Sequence, residues 1–254
     1  MDKTRFEVNR ILNCTAIDLL NSMDERAALI VADPPYGIGY KSGFNIRKPP
    51  MRQQNRNVGE RRETPRTFEG DKVIDTAWIS SAFDSLKDGG CMYLFTRWDV
   101  LHHWYEAATE AGFKVAQCIT WDKCHWGAGD LKYYGPQTEN ILFCIKGKHQ
   151  LRWEKRSGNV FRFAMSTMMT RDGGGRHPTQ KPVDLFTKII TYSSDVNDLV
   201  VDPFTGSGAA CVAAQRLHRR FVGCDISPTF ASAAQAWIEK TAPHTLPMFT
   251  GMTS

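Results

Sequence analysis

The fold of this chain is decided by the stretch Ala28-Leu29-Ile30-Val31-Ala32-Asp33-Pro34-Pro35-Tyr36-Gly37-Ile38-Gly39. Its apolar run stops at Asp33 and two prolines, a pattern typical of a buried parallel strand that runs into a rigid loop. In open α/β sheets, ligands bind in the crevice beyond the carboxyl ends of the strands. We therefore expect residues 33–36 to line a ligand site.

The residue types in this loop suit a flat heterocycle that carries an exocyclic amino group. Asp33 offers carboxylate oxygens, and the two prolines lack an N–H, so their backbone presents only carbonyls. Tyr36 supplies an aromatic face for stacking. Acceptors that take both amino hydrogens of adenine or cytosine leave the nitrogen lone pair free to attack an electrophile, which is the chemistry of amine methylation. An ordinary strand-ending turn uses the same residue types, so the loop alone leaves both interpretations open.

A second strand-and-loop unit, near the carboxyl end of the chain, has the features of a nucleoside site. An apolar run from Leu199 leads into Asp202-Pro203-Phe204-Thr205-Gly206-Ser207-Gly208 and then into a helix to about Leu217. Asp225 ends the next strand, about twenty residues on, where nucleotide-binding βαβ units hold ribose hydroxyls. The dinucleotide spacing G-x-G-x-x-G and the triphosphate motif G-K-[ST] are both missing. The loop therefore favours a nucleoside without phosphates, such as S-adenosylmethionine.

Together, residues 33–36, the hexapeptide His177-Pro178-Thr179-Gln180-Lys181-Pro182 and residues 202–208 resemble the β class of amino-group DNA methyltransferases. The resemblance implies an α/β, Rossmann-like methyltransferase fold with a mostly parallel, seven-stranded twisted sheet and a circularly permuted motif order. It implies one domain over residues 1–254, with a catalytic half at 1–146 and a cofactor-binding half at 177–240. The strands that end at Asp33 and Asp202 should then be neighbours.

The same resemblance implies site-specific transfer of a methyl group from S-adenosylmethionine to N6 of a flipped-out adenine in DNA, with S-adenosylhomocysteine as product and no metal. The catalytic residues it implies are Asp33, Pro34, Pro35 and Tyr36. The cofactor-binding residues are Thr15, Ala16, Asp33, Thr179, Gln180, Lys181, Asp202, Pro203, Phe204, Thr205, Gly206, Ser207, Gly208, Asp225 and Ile226. Thr15 stands where the family usually has an acidic residue near the adenine of the cofactor, and its hydroxyl is predicted to replace that contact. The hexapeptide is assigned to the methionine end.

Other functions remain open. Family members that act on cytosine N4 more often begin the tetrapeptide with serine, which favours adenine without excluding cytosine. An RNA adenine methyltransferase would flip its base into the same kind of pocket. A dinucleotide-dependent oxidoreductase is disfavoured by the missing third glycine, and a carbon-5 cytosine methyltransferase by the lack of a Pro-Cys pair. A non-catalytic nucleic-acid binder is disfavoured by the intact Asp33 and Asp225.

Two basic segments are candidates for DNA contact. Residues 41–70 are rich in arginine and lysine with few apolar side chains, which predicts a disordered, solvated loop that closes over phosphates when DNA binds. Residues 147–176 interleave basic and aromatic side chains, and the resemblance places the target-recognition segment there, although a basic surface linker has the same composition. The candidate contacts are Lys41, Arg47, Lys48, Arg52, Arg152, Arg156 and Arg171. Trp126, Tyr133 and Tyr134 are either base-facing or packing aromatics, and packing is favoured slightly.

Composition sets the remaining expectations. The net charge of +5 has the sign expected for a polyanion partner, but it is mild. The seven cysteines form no C-x-x-C pair, which predicts reduced thiols rather than a disulfide frame or a zinc site. No leader-like segment is present and no apolar run approaches the ~18 residues of a membrane span. We expect a cytoplasmic, bacterial or phage-encoded protein with double-stranded DNA as partner, and the resemblance is compatible with a homodimer and a cognate restriction endonuclease.

Overall fold

The computed structural model describes residues 7–37, 73–126, 132–152, 156–165 and 180–241. The chain divides into two compact units, one formed by residues 1–34 and 76–254 and the other by residues 35–75. All helices and strands given below belong to the first unit. Asp33 and Pro34 lie in this unit, whereas Pro35 and Tyr36 open the second.

The first unit alternates strands and helices, as expected for an α/β fold. The strands are β1 Arg10–Leu12, β2 Ala27–Ala32, β3 Leu86–Thr96, β4 Lys114–Asp122, β5 Thr138–Ile145, β6 Val160–Arg162, β7 Leu199–Asp202 and β8 Arg220–Cys224. The helices are α1 Ala16–Ser22, α2 Trp78–Ser85, α3 Leu101–Glu110, α4 Val183–Ser193, α5 Ala209–Arg216 and α6 Pro228–Thr241.

The strands form a single sheet in the order β1-β8-β7-β2-β3-β5-β4-β6. The pairings from β1 to β3 are parallel, and β5 runs antiparallel to both β3 and β4. The mostly parallel α/β fold is thus confirmed, but the described sheet has eight strands instead of seven. The additional strand, β6, is three residues long and buries only Phe161, so it depends on its parallel pairing with the end of β4 and leaves little periodicity in the sequence.

Strand β2 forms the centre of the core. All six of its residues are buried, and it lies between β7 and β3. Because side chains alternate across a strand, Leu29 and Val31 share one face, and both belong to the apolar cluster that includes residues of α4, α5 and α6. Ile30 points to the other face, where α1 contacts α2 and α2 contacts α3. The sheet is therefore covered by helices on both faces.

The first part of β3 is irregular. Asp88, Gly89 and Gly90, residue types that commonly end a helix, lie inside this strand, because α2 already ends at Ser85. Gly89 has a φ of 78°, and the register between β2 and β3 shifts between Ala27 and Leu29. The two glycines therefore form an irregular first part of the strand, which still pairs with Lys146 through backbone hydrogen bonds.

The direction of the chain at β2 and β7 positions the candidate site. These strands are parallel neighbours, with Leu29 opposite Val200 and Ile30 opposite Val201. The chain leaves β2 towards β3 on one side and leaves β7 towards β8 on the other, which makes this the topological switch point where α/β sheets bind ligands. The expectation that the strands ending at Asp33 and Asp202 are neighbours is confirmed.

Two further expectations concern cysteines and membranes. Cys91, Cys144, Cys211 and Cys224 are buried, whereas Cys118 and Cys124 are exposed, and none of the seven cysteines is in a disulfide. Among the described residues, no helix combines the length and the apolar character needed to cross a membrane.

Candidate active site

Asp33 follows the buried strand β2 directly and is held by a lysine from the other half of the chain. The Lys181 Nζ donates a hydrogen bond to Asp33 Oδ2. The Lys181 side chain is 8% exposed and the Asp33 side chain 28% exposed, so the ion pair is mostly shielded from water but open on the Asp33 side. Strand β2 and the segment before α4 thus position one charged pair at the switch point.

The ammonium of Lys181 has a second carboxylate neighbour. Its Nζ lies 3.7 Å from Oε2 of Glu139, and Nζ of Lys123 lies 3.5 Å from Oε1 of the same glutamate. The ring of Phe95 also lies beneath the Lys181 ammonium, 5.0 Å from the nitrogen to the ring centroid. Burial by itself would lower the pKa of Lys181, but the charges of Asp33 and Glu139 outweigh it and the net pKa is raised. Lys181 is therefore a permanently charged link between two carboxylates.

The geometry gives Lys181 a role beside the one predicted for it. The family resemblance assigned it to the methionine end of the cofactor, which stays a prediction, and the structure places its ammonium next to Asp33 and Glu139. A buried ammonium with two carboxylate neighbours gains little from a third anion. Its neighbour Gln180 is buried and its Oε1 has no hydrogen-bond partner among the described residues, so it is the better candidate for contact with a bound ligand. Thr179 lies outside the described residues.

Residues 202–208 form a tight loop between β7 and α5. Asp202 is 5% exposed, and its Oδ1 accepts a hydrogen bond of 3.2 Å from the backbone N–H of Phe204. Gly208 has a φ of 91°, and a Cβ there would lie 3.0 Å from Cβ of Ala234 in α6, so this position requires glycine. Burial raises the pKa of the Asp202 carboxyl to about 8, and the charges of Asp33 and Asp225 add to the effect.

Asp225 lies at the end of the neighbouring strand and faces the same loop. Its Oδ2 accepts a hydrogen bond of 3.0 Å from the backbone N–H of Gly206, and its Oδ1 accepts one of 2.8 Å from Ser227. A carboxylate oxygen has two lone pairs, so each oxygen keeps one for a further donor. Burial raises the pKa of this carboxyl, and the two backbone donors oppose that rise. The next residue, Ile226, presents an exposed apolar side chain beside it.

Thr15, in the loop after β1, caps the following helix. Thr15 is the N-cap of α1, where its hydroxyl accepts a hydrogen bond from the Asp18 backbone N–H and donates one to Asp18 Oδ2. Its hydroxyl hydrogen is used within the cap, and a contact between Thr15 and the adenine of the cofactor stays a prediction. Ala16 is buried as the first residue of the helix.

Phe204 is fixed by an aromatic contact that the sequence did not indicate. Its ring meets Trp78 of α2 edge-on, with ring centroids 4.9 Å apart and planes at 74°. Trp78 in turn lies 6.3 Å from Trp104 of α3, centroid to centroid. The contact with Trp78 anchors Phe204 in the cofactor loop and stabilises the loop conformation.

The predicted DNA contacts fall in different places. Arg152 binds Asp195 through Nε and Nη2, at 3.2 and 3.1 Å. Asp195 precedes β7, so this pair lies at the amino-terminal edge of the sheet, opposite Asp33, and a DNA contact of Arg152 stays a prediction. Arg156 is exposed. The five remaining predicted contacts lie outside the described residues: Lys41, Arg47, Lys48, Arg52 and Arg171.

The aromatic side chains between β4 and β5 are exposed. Trp126, Tyr133 and Tyr134 leave most of their surface open to solvent, which contradicts the interpretation that they pack into the core. They follow the end of β4 or precede the start of β5, at the same edge of the sheet as Asp33. An aromatic face at this edge is available for stacking.

Comparison with known proteins identifies relatives of this chain among DNA methyltransferases. A family model described as DNA methylase matches residues 27–236. The type II methyltransferase M2.DpnII of Streptococcus pneumoniae is 30% identical over 230 residues, which cover 85% of this chain and 83% of that protein. The type II methyltransferase M2.MboI of Moraxella bovis is 24% identical over 244 residues, which cover 91% of this chain and 87% of that protein.

Solved structures share the fold. The M1.HpyAVI–SAM complex superposes with a TM-score of 0.65 at 21% identity, over 89% of this chain and 98% of that one. The PvuII DNA methyltransferase, described as cytosine-N4-specific, gives a TM-score of 0.62 at 15% identity, over 90% of this chain and 87% of that one. The family match includes both the Asp33 loop and the Asp202 loop, and these meet at one edge of a shared methyltransferase fold. This chain belongs to the N6/N4 amino-group DNA methyltransferases.

Proposed function

We propose that this DNA methyltransferase transfers a methyl group from S-adenosylmethionine to N6 of an adenine flipped out of double-stranded DNA. The observation that carries the proposal is the adjacency of two loops on parallel neighbouring strands: Asp33 after β2 and residues 202–208 after β7. One loop presents an acceptor for an amino group, and the other has the features of a nucleoside site.

The residues around the second loop fit S-adenosylmethionine. Asp225 keeps a lone pair on each oxygen for the two ribose hydroxyls, and Ile226 offers an apolar surface for the adenine. The unpartnered Oε1 of Gln180 is a buried acceptor suited to the ammonium of the methionine part. The buried Asp202 carboxyl favours a nearby cation, because a positive charge would offset its desolvation. When bound, this cofactor supplies an electrophilic sulfonium methyl group.

The remaining chemistry belongs to Asp33, Pro34 and Tyr36. The Asp33 carboxylate and the Pro34 carbonyl accept hydrogen bonds from the two amino hydrogens of the base, which orients the nitrogen lone pair towards the cofactor side. Tyr36 stacks on the base and keeps it out of the helix. After transfer, the Asp33 carboxylate takes the proton that the amino group loses and passes it to solvent, to which Asp33 is partly exposed. Orientation supplies most of the rate enhancement.

Adenine is preferred over cytosine because the tetrapeptide begins with aspartate. The tetrapeptide of residues 33–36 resembles that of family members that act on adenine. Members that act on cytosine more often have serine in place of the first residue, Asp33. The homodimer and the cognate restriction endonuclease stay predictions of the family resemblance.

A labelling experiment tests the proposed function. Genomic DNA from a host without methyltransferases is incubated with the protein and methyl-labelled S-adenosylmethionine, then digested to nucleosides. We expect the label in N6-methyladenine, and label in N4-methylcytosine alone would contradict the choice of base. Total RNA and heat-denatured DNA are run in parallel, and preferential labelling of either would contradict double-stranded DNA as the substrate.

A further inference from the structure

Glu139 occupies an unusual place in the fold. It is the second residue of β5, the strand that runs antiparallel to both of its neighbours. If β5 ran parallel to β3, its first residues would lie at the edge of the sheet opposite the site. Because β5 is antiparallel, Asn140, the residue after Glu139, instead pairs with Thr96, the last residue of β3. The reversed direction of β5 therefore delivers a carboxylate to the edge where Asp33 lies.

The contacts of Glu139 are almost entirely ionic. Oε1 lies 3.5 Å from Lys123 Nζ and Oε2 lies 3.7 Å from Lys181 Nζ, while Oε2 is buried with no hydrogen-bond partner among the described residues. A glutamate that served only to stabilise the fold would be expected to satisfy both oxygens by hydrogen bonds. Glu139 instead holds one oxygen close to an ammonium that is already bonded to Asp33.

The positive and negative charges of this group balance, and the loss of Glu139 alone would leave two ammonium groups with one carboxylate. Two lysines, Lys123 and Lys181, face two carboxylates, Asp33 and Glu139. If Glu139 were neutral, the Lys181 ammonium would have Asp33 as its only carboxylate neighbour in the group and would bind it more tightly. The Asp33 charge would then be more fully neutralised by the ammonium, and Asp33 would be a weaker acceptor for an amino group.

We propose that Glu139 is a positioning residue for the methyl transfer. By sharing the Lys181 ammonium with Asp33, it holds the Asp33 carboxylate in place and leaves it charged enough to accept a hydrogen bond from the substrate amino group. Glu139 acts through Lys181 and does not touch the reacting atoms. This inference rests on the proposed role of Asp33, but it does not depend on whether the base is adenine or cytosine.

The first test compares Glu139→Gln with Glu139→Asp and with Glu106→Gln. The glutamine removes the charge and keeps the shape, the aspartate keeps the charge, and Glu106 is an exposed residue of α3 that serves as the matched control. Single-turnover methylation is measured at saturating DNA and cofactor. The dissociation constant of S-adenosylmethionine is measured by calorimetry.

We expect Glu139→Gln to slow single turnover about ten- to a hundredfold, since small misplacements of catalytic groups cost up to about that factor. The dissociation constant of the cofactor should change less than about threefold, because the ribose and methionine contacts lie elsewhere. Glu139→Asp should recover most of the rate, and Glu106→Gln should match the wild type. A wild-type rate in Glu139→Gln would overturn the proposal, and so would a loss of cofactor binding as large as the loss of rate.

A double-variant cycle with Lys181→Met supplies a measurement that does not need activity. If Glu139 and Lys181 act together, their substitutions should not be independent. The effect of the double variant on the folding equilibrium constant should then differ by about tenfold or more from the product of the two single-variant effects. A purely multiplicative result would overturn the shared-ammonium geometry. If the wild type methylated no nucleic acid at all, the proposed function would fail, while this cycle would still decide whether the contact exists.

Discussion

Asp225 and Asp33, two of the carboxylates at the carboxyl edge of the sheet, are held by different kinds of donor. Asp225 is fixed by neutral backbone N–H groups from Gly206 and Ser227, which lie 19 and 2 residues away in the chain. Asp33 is fixed by the charged side chain of Lys181, 148 residues away. Both lie at the carboxyl edge of the same sheet, on strands separated only by β7.

The difference corresponds to two tasks. Backbone donors keep Asp225 in one place with two lone pairs available, which suits a carboxylate that only binds. A buried ammonium shared with Glu139 sets both the position and the effective charge of Asp33, which suits a carboxylate whose strength as an acceptor affects the reaction. Substitutions at the two sites should therefore separate rate from cofactor affinity.

The largest expected effect is that of Asp33→Ala. Removal of the acceptor for the amino group should lower single-turnover methylation by about a thousandfold, in the range of other acid–base groups. The dissociation constant of S-adenosylmethionine should change much less, because the backbone-held Asp225 is untouched. Asp84→Asn, at an exposed position of α2, is the control. A cofactor affinity that falls as far as the rate would abolish the distinction between the two carboxylates.

The next effect is that of Asp225→Ala, which should give the reverse result. Loss of hydrogen bonds to the two ribose hydroxyls should weaken S-adenosylmethionine binding by about a hundredfold, since two bonds to a charged group contribute roughly 1.5 kcal/mol each. At saturating cofactor, the methylation rate should stay within a few fold of the wild type. Isothermal titration gives the affinity and rapid quench gives the rate. A large loss of rate at saturation would show that Asp225 contributes to the chemical step as well.

Asp202, between the two, should make stability depend on pH. Burial raises its pKa from an ordinary 3.8 to about 8, so between these values the native protein holds a proton that the unfolded chain releases. The unfolded state then binds fewer protons, and this group's contribution to the free energy of unfolding falls as pH rises across that window, by up to about 1.4 kcal/mol per pH unit. Asp202→Asn cannot titrate. The difference in unfolding free energy between variant and wild type should therefore change with pH between about 4 and 8 and level off outside it, as measured by urea unfolding.

Much of this arrangement follows from the sequence, because its signals are local. The apolar run that stops at Asp33 and the glycine loop before Asp225 each predict a strand end within a few residues. In a parallel sheet, strand ends share one edge, so the two aspartates could be placed together without knowledge of long-range contacts.

Glu139 could not be found in the same way. Its position at the site depends on the antiparallel direction of β5, and an apolar run has the same composition in either direction. Polar residues that follow a strand are recognisable as site candidates in a parallel sheet, whereas Glu139 stands at the start of its strand. Lys181 was identified as a site residue, but its ion pair with Asp33 was not predicted. The two residues are 148 positions apart, and no local sequence pattern indicates a contact over that separation.

The smallest expected effect sharpens the contrast between buried and exposed ion pairs. Arg152 and Asp195 form a pair at the opposite edge of the sheet, with side chains 32% and 65% exposed. Pairs of this kind contribute about 0–1 kcal/mol, because water screens them and ordering of the side chains costs entropy. We expect Arg152→Ala to lower the free energy of unfolding by less than about 1 kcal/mol, with methylation rate and DNA affinity unchanged in fluorescence anisotropy titrations. A clear loss of DNA affinity would instead mean that DNA reaches the amino-terminal edge, and that the Asp33 edge is not the only surface that binds it.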